Sequence, residues 1–264
     1  MQRAKKFFGQ NWLVDASAVK KLVNSAQIVK GEQVLEIGPG TGIITQALLE
    51  AGAKVTAVEL DHDLIEPLQQ KFKDSITLVQ GDILRIFESG QLLFSTPFKL
   101  VSSIPYNITS DILKLFLSTS NKPEMICLVV QKEVAERITA KPPHMSLLSV
   151  VCQVYAKCEY IDTIKAGAFR PIPKVDSAVI RLTLYTNGHP KLYGLGPEKV
   201  IRLARLGFSS KRKQLQKNLS SLPLDKRPED LKSFLEELGI ASNIRAENLT
   251  VDEWIKMVGK LRTI

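Results

Sequence analysis

The chain of 264 residues has little of several features that mark specialised protein classes. It has only three cysteines, and no CxxC pair or Cys/His cluster has metal-ligand spacing, so we expect neither a disulfide framework nor a metal site. No stretch approaches about 18 consecutive apolar residues, and Gly9-Gln10-Asn11 follows the basic start where a signal peptide would need an apolar stretch. These absences predict a cytoplasmic protein in a reducing compartment, with no membrane association.

The composition is that of a globular protein with a surplus of positive charge. Hydrophobic residues make up 44% of the chain, enough for a substantial core in one large domain and a small one. The formal net charge is +9 at pH 7, more than solubility requires. The charge favours a polyanionic partner, and by itself leaves nucleic acid, membrane surface and acidic protein all open.

Short apolar strands alternate with helical patterns along the first half of the chain. This alternation predicts an α/β fold with a parallel, doubly wound sheet. Asp15 is a candidate N-cap for the first helix. We predict strands at 34–37, 54–60, 76–80, 99–102 and 126–131, and helices at 16–28, 43–51, 64–72 and 110–117.

The pattern changes further along the chain. Residues 147–156 form a long apolar run and residues 177–185 alternate polar with apolar, so we expect two strands that close the sheet. Turn-forming residues are dense at 187–190 and 194–197, and only helical periodicity follows. We therefore predict a Rossmann-like domain at 1–188, with a basic N-terminal arm, and a small all-helical domain at 189–264.

A glycine turn follows the first predicted strand. Gly38, Gly40 and Gly42 have the E-x-G-x-G-x-G spacing of S-adenosylmethionine-binding Rossmann-like domains, which differs from the dinucleotide fingerprint. Glu59 ends the next strand, where an acid can accept both ribose hydroxyls, and Asp82 follows the third strand, where a carboxylate can accept the adenine amino group. Together these features predict S-adenosylmethionine as the cofactor.

A candidate acceptor site follows the fourth strand, at the same edge of the sheet. An aromatic amino group is a poor nucleophile because its lone pair is delocalised into the ring. The Ser103 hydroxyl and the Ile104 carbonyl could accept its hydrogens and concentrate that pair. Tyr106 would hold the base by stacking, and Pro105 would fix the turn without adding a competing donor. A looped or unpaired target is favoured, because unstacking a base in a stem costs roughly a few kcal/mol.

With these residues assembled, the chain resembles the KsgA-type ribosomal RNA adenine dimethyltransferases over nearly its whole length. The family places asparagine where this chain has Ser103, a departure that shortens one acceptor. The matching segments are 8–15, 35–42, 58–61, 81–82, 104–108, 131–134, 169–177, 208–213 and 245–247.

The resemblance implies dimethylation of two adjacent adenines in a hairpin loop near the 3′ end of small-subunit rRNA, during ribosome assembly. It also implies that Phe169 forms a second wall of the base pocket, and that the protein acts as a monomer. The residues expected to bind the cofactor are Gln10, Asn11, Leu13, Gly38, Gly40, Glu59, Leu60, Asp82, Ile83 and Ser103.

The predicted helical domain holds a stretch from 201 to 218 without any acidic residue. We interpret its cations as phosphate contacts, which add affinity without sequence information. Arg3, Lys5 and Lys6 would extend the same surface. The six residues, called the basic cluster below, are Arg202, Arg205, Lys211, Arg212, Lys213 and Lys217.

Three alternative functions share this pattern. An Erm-type enzyme modifies one adenine in large-subunit rRNA, although the 169–177 and C-terminal matches favour the KsgA type. A non-catalytic assembly or transcription factor could keep the fold as an RNA-binding platform, although the intact Glu59, Asp82 and Tyr106 argue for catalysis. Methylation of DNA adenine is disfavoured because no separate base-reading element is recognisable.

Overall fold

The computed structural model describes residues 10–222, 228 and 230–261. The described residues form two compact units, the first containing 10–135 and 158–184, and the second containing 136–157 and the described residues from 185 to 261. In chain order the elements are β1 (Trp12–Leu13), α1 (Ala16–Ser25), β2 (Gln33–Ile37), α2 (Ile43–Glu50), β3 (Lys54–Glu59), α3 (His62–Phe72), β4 (Ile76–Gln80), α4 (Ile83–Glu88), β5 (Phe98–Ser103), α5 (Thr109–Ser118), β6 (Met125–Gln131), α6 (Lys132–Ile138), α7 (Leu147–Tyr155), β7 (Ala156–Ile164), β8 (Phe169–Arg170), β9 (Ser177–Leu184), α8 (Pro197–Gly207), α9 (Leu215–Leu219), α10 (Leu231–Glu237) and α11 (Val251–Lys260).

The first unit is built on a seven-stranded sheet in the order β4-β3-β2-β5-β6-β9-β7. Strands β2 to β6 pair in parallel, and β9 joins β6 antiparallel. The chain builds the sheet outward from β2 through β3 and β4, then returns to add β5 on the other side, so the topological switch point lies between β2 and β5. The α/β, Rossmann-like fold is confirmed, and the strand predicted at 177–185 is present at Ser177–Leu184.

The central strands of the sheet are apolar on both faces because both faces are buried in the core. Val34, Leu35 and Ile37 of β2 are buried, as expected for a central parallel strand covered by helices on either side. The helix α1 begins where Asp15 accepts a hydrogen bond from the backbone N–H of Ala18, as predicted. The residues that α1 and α2 bury in this core are Ala18, Val19, Leu22, Val23, Ile44 and Leu48.

The prediction of a strand at 147–156 was wrong. Residues 147–155 form α7, because Ser146 and Ser149 make a reciprocal capping box that starts a helix there. A continuous apolar run fits a buried helix as well as a buried strand, so its periodicity did not discriminate. The strand that contributes to the sheet is β7, which starts at Ala156.

The second unit is helical, and it starts earlier in the chain than the expected boundary at 188. It includes 136–157, because α7 packs with the C-terminal helices. The Tyr155 hydroxyl donates to Glu198 of α8 at 2.9 Å, and the backbone N–H of Met145 donates to the Glu247 carbonyl at 3.0 Å. Along the C-terminal stretch, the described elements are helices and short turns, as predicted.

The longest helices among the described residues, α3 and α8, have 11 residues each. No helix there is long and apolar enough to cross a membrane. Within the same residues, no group of three or more histidine, cysteine or acidic side chains is arranged to hold a metal ion. None of Cys127, Cys152 and Cys158 forms a disulfide.

Candidate functional site

A pocket of about 170 Å³ opens at the carboxyl ends of β2, β3, β4 and β5 in the first unit. This is the edge where ligands bind in open α/β sheets, beside the switch point. Its lining residues are Gln10, Asn11, Trp12, Ile37, Gly38, Gly40, Val58, Glu59, Leu60, Gly81, Asp82, Ile83, Leu84, Ser103, Pro105 and Ile108.

The glycine turn forms one wall of this pocket. Gly38 lines the pocket with φ +66°, a conformation that favours glycine, and a Cβ added there would meet no atom within 4 Å. Gly40 has φ +58°, and its added Cβ would lie 2.9 Å from Cδ1 of Trp12. The backbone of the turn is therefore open toward a ligand at Gly38 and covered by the Trp12 indole at Gly40.

Glu59 ends β3 and is 5% exposed. One carboxylate oxygen accepts from the backbone N–H of Gly40 at 3.2 Å, and the other accepts from that of Asp61 at 2.8 Å. Burial raises the pKa of Glu59 above its ordinary value, against the lowering effect of these hydrogen bonds. Each oxygen can accept a second hydrogen bond, so the side chain has capacity for two ligand hydroxyls.

Asp82 also lines the pocket and caps α4. Its Oδ1 accepts from the backbone N–H of Leu84 at 3.0 Å, which holds the carboxylate at the helix start. Oδ2 lies 3.9 Å from Nε of the exposed Arg85. Leu60 and Ile83 supply apolar surface in the same pocket.

The structure brings the predicted cofactor residues together with one exception. All of them line the pocket except Leu13, which is buried in the core at 2% exposure. The side chain of Gln10 is held by a hydrogen bond that its Nε2 donates to Oδ2 of Asp61 at 3.1 Å. Trp12 lines the pocket but was not among the predicted cofactor residues. Its place between Asn11 and Leu13, which were both predicted, could have indicated it.

Only some of the predicted acceptor residues line the pocket. Ser103 and Pro105 line the pocket, whereas the side chain of Ile104 is buried. Tyr106 begins a short 3-10 turn, is half-buried, and its hydroxyl lies 2.6 Å from Oγ of Ser177. Phe169 is 1% exposed and packs in the hydrophobic core with Leu13.

Glu36 is a buried acid two residues before the glycine turn. The sequence analysis assigned it no role. Its Oε2 accepts from the Thr45 hydroxyl at 2.6 Å, and Oε1 is buried with no hydrogen-bond partner among the described residues. Burial, with a smaller contribution from the nearby Glu59, raises the pKa of Glu36 to about 8, against the lowering effect of the Thr45 hydrogen bond. Glu36 is the glutamate that opens the E-x-G-x-G-x-G pattern, and this position was the sequence signal that could have identified it.

The basic cluster lies in the second unit, and all six of its residues are exposed. Arg202 and Arg205 lie on α8, and Lys217 lies on α9. The turn between these helices is fixed by the buried Asn218, whose amide donates to the Gly207 and Ser210 carbonyls. Arg3, Lys5 and Lys6, which would extend this surface, lie outside the described residues.

The chain is similar in sequence and in structure to known ribosomal RNA methyltransferases. The family model described as Ribosomal RNA adenine dimethylase matches residues 1–262. The Ribosomal RNA small subunit methyltransferase A of Rippkaea orientalis is 41% identical, with 100% of each chain covered.

Two solved structures share the fold over most of the chain. The 23S rRNA methyltransferase ErmE has a TM-score of 0.75 and 26% identity, covering 95% of this chain and 99% of its own. A dimethyladenosine transferase from Plasmodium falciparum has a TM-score of 0.77 and 24% identity, covering 93% and 95%.

Proposed function

Because this chain belongs to the family of ribosomal RNA adenine dimethylases, we propose that it dimethylates N6 of two adjacent adenosines in a hairpin loop near the 3′ end of small-subunit rRNA. S-adenosylmethionine is the methyl donor. The observation that carries this proposal is the pocket at the switch point, where the open glycine turn, two acids and Ser103 meet.

The pocket residues fit the cofactor by their chemistry. When bound, S-adenosylmethionine supplies an electrophilic methyl group on a sulfonium centre. Glu59 has free acceptor capacity on both oxygens for the ribose hydroxyls, and Asp82 can accept from the adenine amino group while it caps α4. Leu60 and Ile83 offer apolar surface to the adenine ring. Gly38 keeps the turn clear of side-chain atoms.

The acceptor residues act on the target amine. The Ser103 hydroxyl and the Ile104 carbonyl accept hydrogen bonds from the N6 hydrogens, which concentrates the nitrogen lone pair toward the methyl group. Tyr106 stacks on the adenine ring, and Phe169 backs the pocket. Burial raises the pKa of Tyr106, so its phenol stays neutral and presents an uncharged face to the base.

RNA affinity comes from the basic cluster, whose exposed cations contact phosphates without reading sequence. The proposed setting is a monomer that acts in the cytoplasm on rRNA within an assembling small subunit. The acid-free stretch 201–218 and the net charge of +9 support a polyanionic partner.

The test incubates the protein with labelled S-adenosylmethionine and separately purified immature small and large ribosomal subunits, then maps the modified adenines. We expect two adjacent N6-dimethylated adenines in small-subunit rRNA. A single modified adenine in large-subunit rRNA would indicate the Erm-type alternative. Cofactor binding without methylation of either subunit would indicate a non-catalytic RNA-binding role.

A further inference from the structure

Ser177 is a buried serine beside the acceptor site, and the proposed reaction does not otherwise use it. It is the first residue of β9 and is fully buried. Its Oγ lies 2.6 Å from the phenolic oxygen of Tyr106, 71 residues earlier in the chain. A buried hydroxyl needs a hydrogen-bond partner, and Tyr106 provides it.

The backbone around Ser177 is fixed from several directions. Ser177 pairs with Gln131 at the end of β6. The preceding residue, Asp176, accepts from the backbone N–H of Ala166 and from the ammonium group of Lys165, each at 3.0 Å. Its carbonyl accepts from the backbone N–H of Lys132, also at 3.0 Å. Ser177 therefore presents its hydroxyl from a rigid part of the sheet.

Tyr106 has a weaker local framework. It follows Pro105 and lies in a short 3-10 turn, closed where the backbone N–H of Ile108 donates to the Pro105 carbonyl at 3.2 Å. Short 3-10 segments have poorer hydrogen-bond geometry than α-helices. A half-buried ring on such a turn can rotate about its side-chain bonds unless its far end is held.

We infer that Ser177 is a positioning residue, whose buried hydroxyl holds the Tyr106 ring in the plane against which the target adenine stacks. The inference rests on the proposed function, in which Tyr106 stacks on the base. Stacking holds the amine in line with the methyl group only when the aromatic plane is itself fixed. The hydrogen bond should therefore affect the chemical step more than RNA affinity.

A double-mutant cycle tests this inference. Tyr106→Phe removes the bond from the partly exposed side and keeps the ring, whereas Ser177→Ala removes it from the buried side. We expect each to lower the single-turnover methylation rate at saturating small-subunit substrate by roughly twofold to tenfold. The half-saturating concentrations of subunit and of cofactor should stay unchanged. The double variant should be no slower than the slower single variant, because all three lack the same bond.

Ser25→Ala is the matched control, since Ser25 is also a buried serine of the first unit and its hydroxyl donates to the Leu22 carbonyl at 2.6 Å. It should leave the methylation rate unchanged. Unaltered rates in both Tyr106→Phe and Ser177→Ala, or losses that multiply in the double variant, would overturn the positioning role. If Tyr106→Ala slows methylation under those conditions, the proposed site still stands; if Tyr106→Ala has no effect, the stacking role fails as well.

Discussion

The ammonium nitrogen of Lys71 lies 3.0 Å from the carbonyl oxygen of Thr41, so a side chain from α3 holds the outer side of the glycine turn. The same nitrogen lies 3.5 Å from the Gly42 carbonyl and 4.9 Å from the centre of the Phe72 ring. Phe72 itself closes over Gly42, where an added Cβ would lie 2.5 Å from it. The end of α3 therefore packs against the glycine turn.

Replacing Lys71 by methionine should weaken cofactor binding by roughly twofold to fivefold, because the lysine is exposed and its hydrogen bonds are partly replaced by water. Titration calorimetry with S-adenosylmethionine measures the effect. Lys114→Met on α5 is the control and should bind normally. Lys71→Arg keeps the donor and should retain most of the affinity; equal affinity in all four proteins would remove Lys71 from the support of the turn.

Glu59→Ala should weaken S-adenosylmethionine binding by about 2 kcal/mol or more, the scale for losing hydrogen bonds to a charged group. The variant also leaves the backbone N–H groups of Gly40 and Asp61 without their acceptor. Calorimetry against the exposed control Glu66→Ala measures the loss. Unchanged affinity in Glu59→Ala would exclude this carboxylate from the cofactor site.

Glu36 should make the cofactor-free protein less stable as pH rises. Its folded pKa is about 8, above the ordinary 4.5, so between these values the folded state binds a proton that the unfolded state has lost. One such proton lowers the unfolding free energy by about 1.4 kcal/mol per pH unit. Glu36→Gln should flatten this dependence, although Glu59, whose pKa is also raised, keeps part of it.

Urea unfolding at several pH values between 5 and 8 measures that slope. Glu50→Gln, at an exposed position of α2, is the control and should keep the wild-type slope. A slope that is the same in Glu36→Gln and wild type would mean that Glu36 is already ionised in the folded protein.

Ser103→Ala should lower the single-turnover methylation rate by a few-fold to about tenfold, the effect of one neutral hydrogen bond in the transition state. Cofactor and RNA affinities should change little. Tyr106→Ala should cost more, because stacking contributes about 1–3 kcal/mol per base. Ser103→Asn restores the family residue and should stay active if the pocket admits the longer side chain. An undiminished rate in Ser103→Ala would leave the Ile104 carbonyl and stacking as sufficient.

Replacing Lys211, Arg212 and Lys213 together by alanine should weaken RNA binding and flatten its salt dependence, since each lost phosphate contact reduces the slope by about one. Cofactor affinity should be unchanged. A control of equal charge, the triple alanine variant of the exposed Lys232, Lys256 and Lys260, should keep the original slope. If both triple variants behave alike, the basic cluster contributes only general charge.

The parts of the site that the sequence could predict are those whose residues occur in short, contiguous sequence motifs. The glycine turn, Glu59 and Asp82 each directly follow or end a strand, and parallel strands bring their carboxyl ends to one edge. The positions of these residues relative to the strand ends were therefore sufficient to predict that they share one pocket.

The parts that escaped prediction depend on distant contacts. Ser177 meets Tyr106 across 71 residues, and no spacing rule relates them. The burial of Glu36 shows only once both faces of β2 are covered. The apolar run at 147–155 was ambiguous because a continuous apolar run lacks the periodicity that distinguishes a helix from a strand.

The pairing of β1 with β8 has a consequence for the order in which the protein becomes active during its synthesis. Leu13 pairs with Phe169 and Trp12 with Arg170, so β1, which follows the pocket residues Gln10 and Asn11, has its pairing partners 156 and 158 residues later in the chain. A nascent chain that ends after β6 already contains the glycine turn, both acids and Ser103. It still lacks the strand that holds β1 in place. Cofactor affinity should therefore arise late in translation, after β8 has left the ribosome.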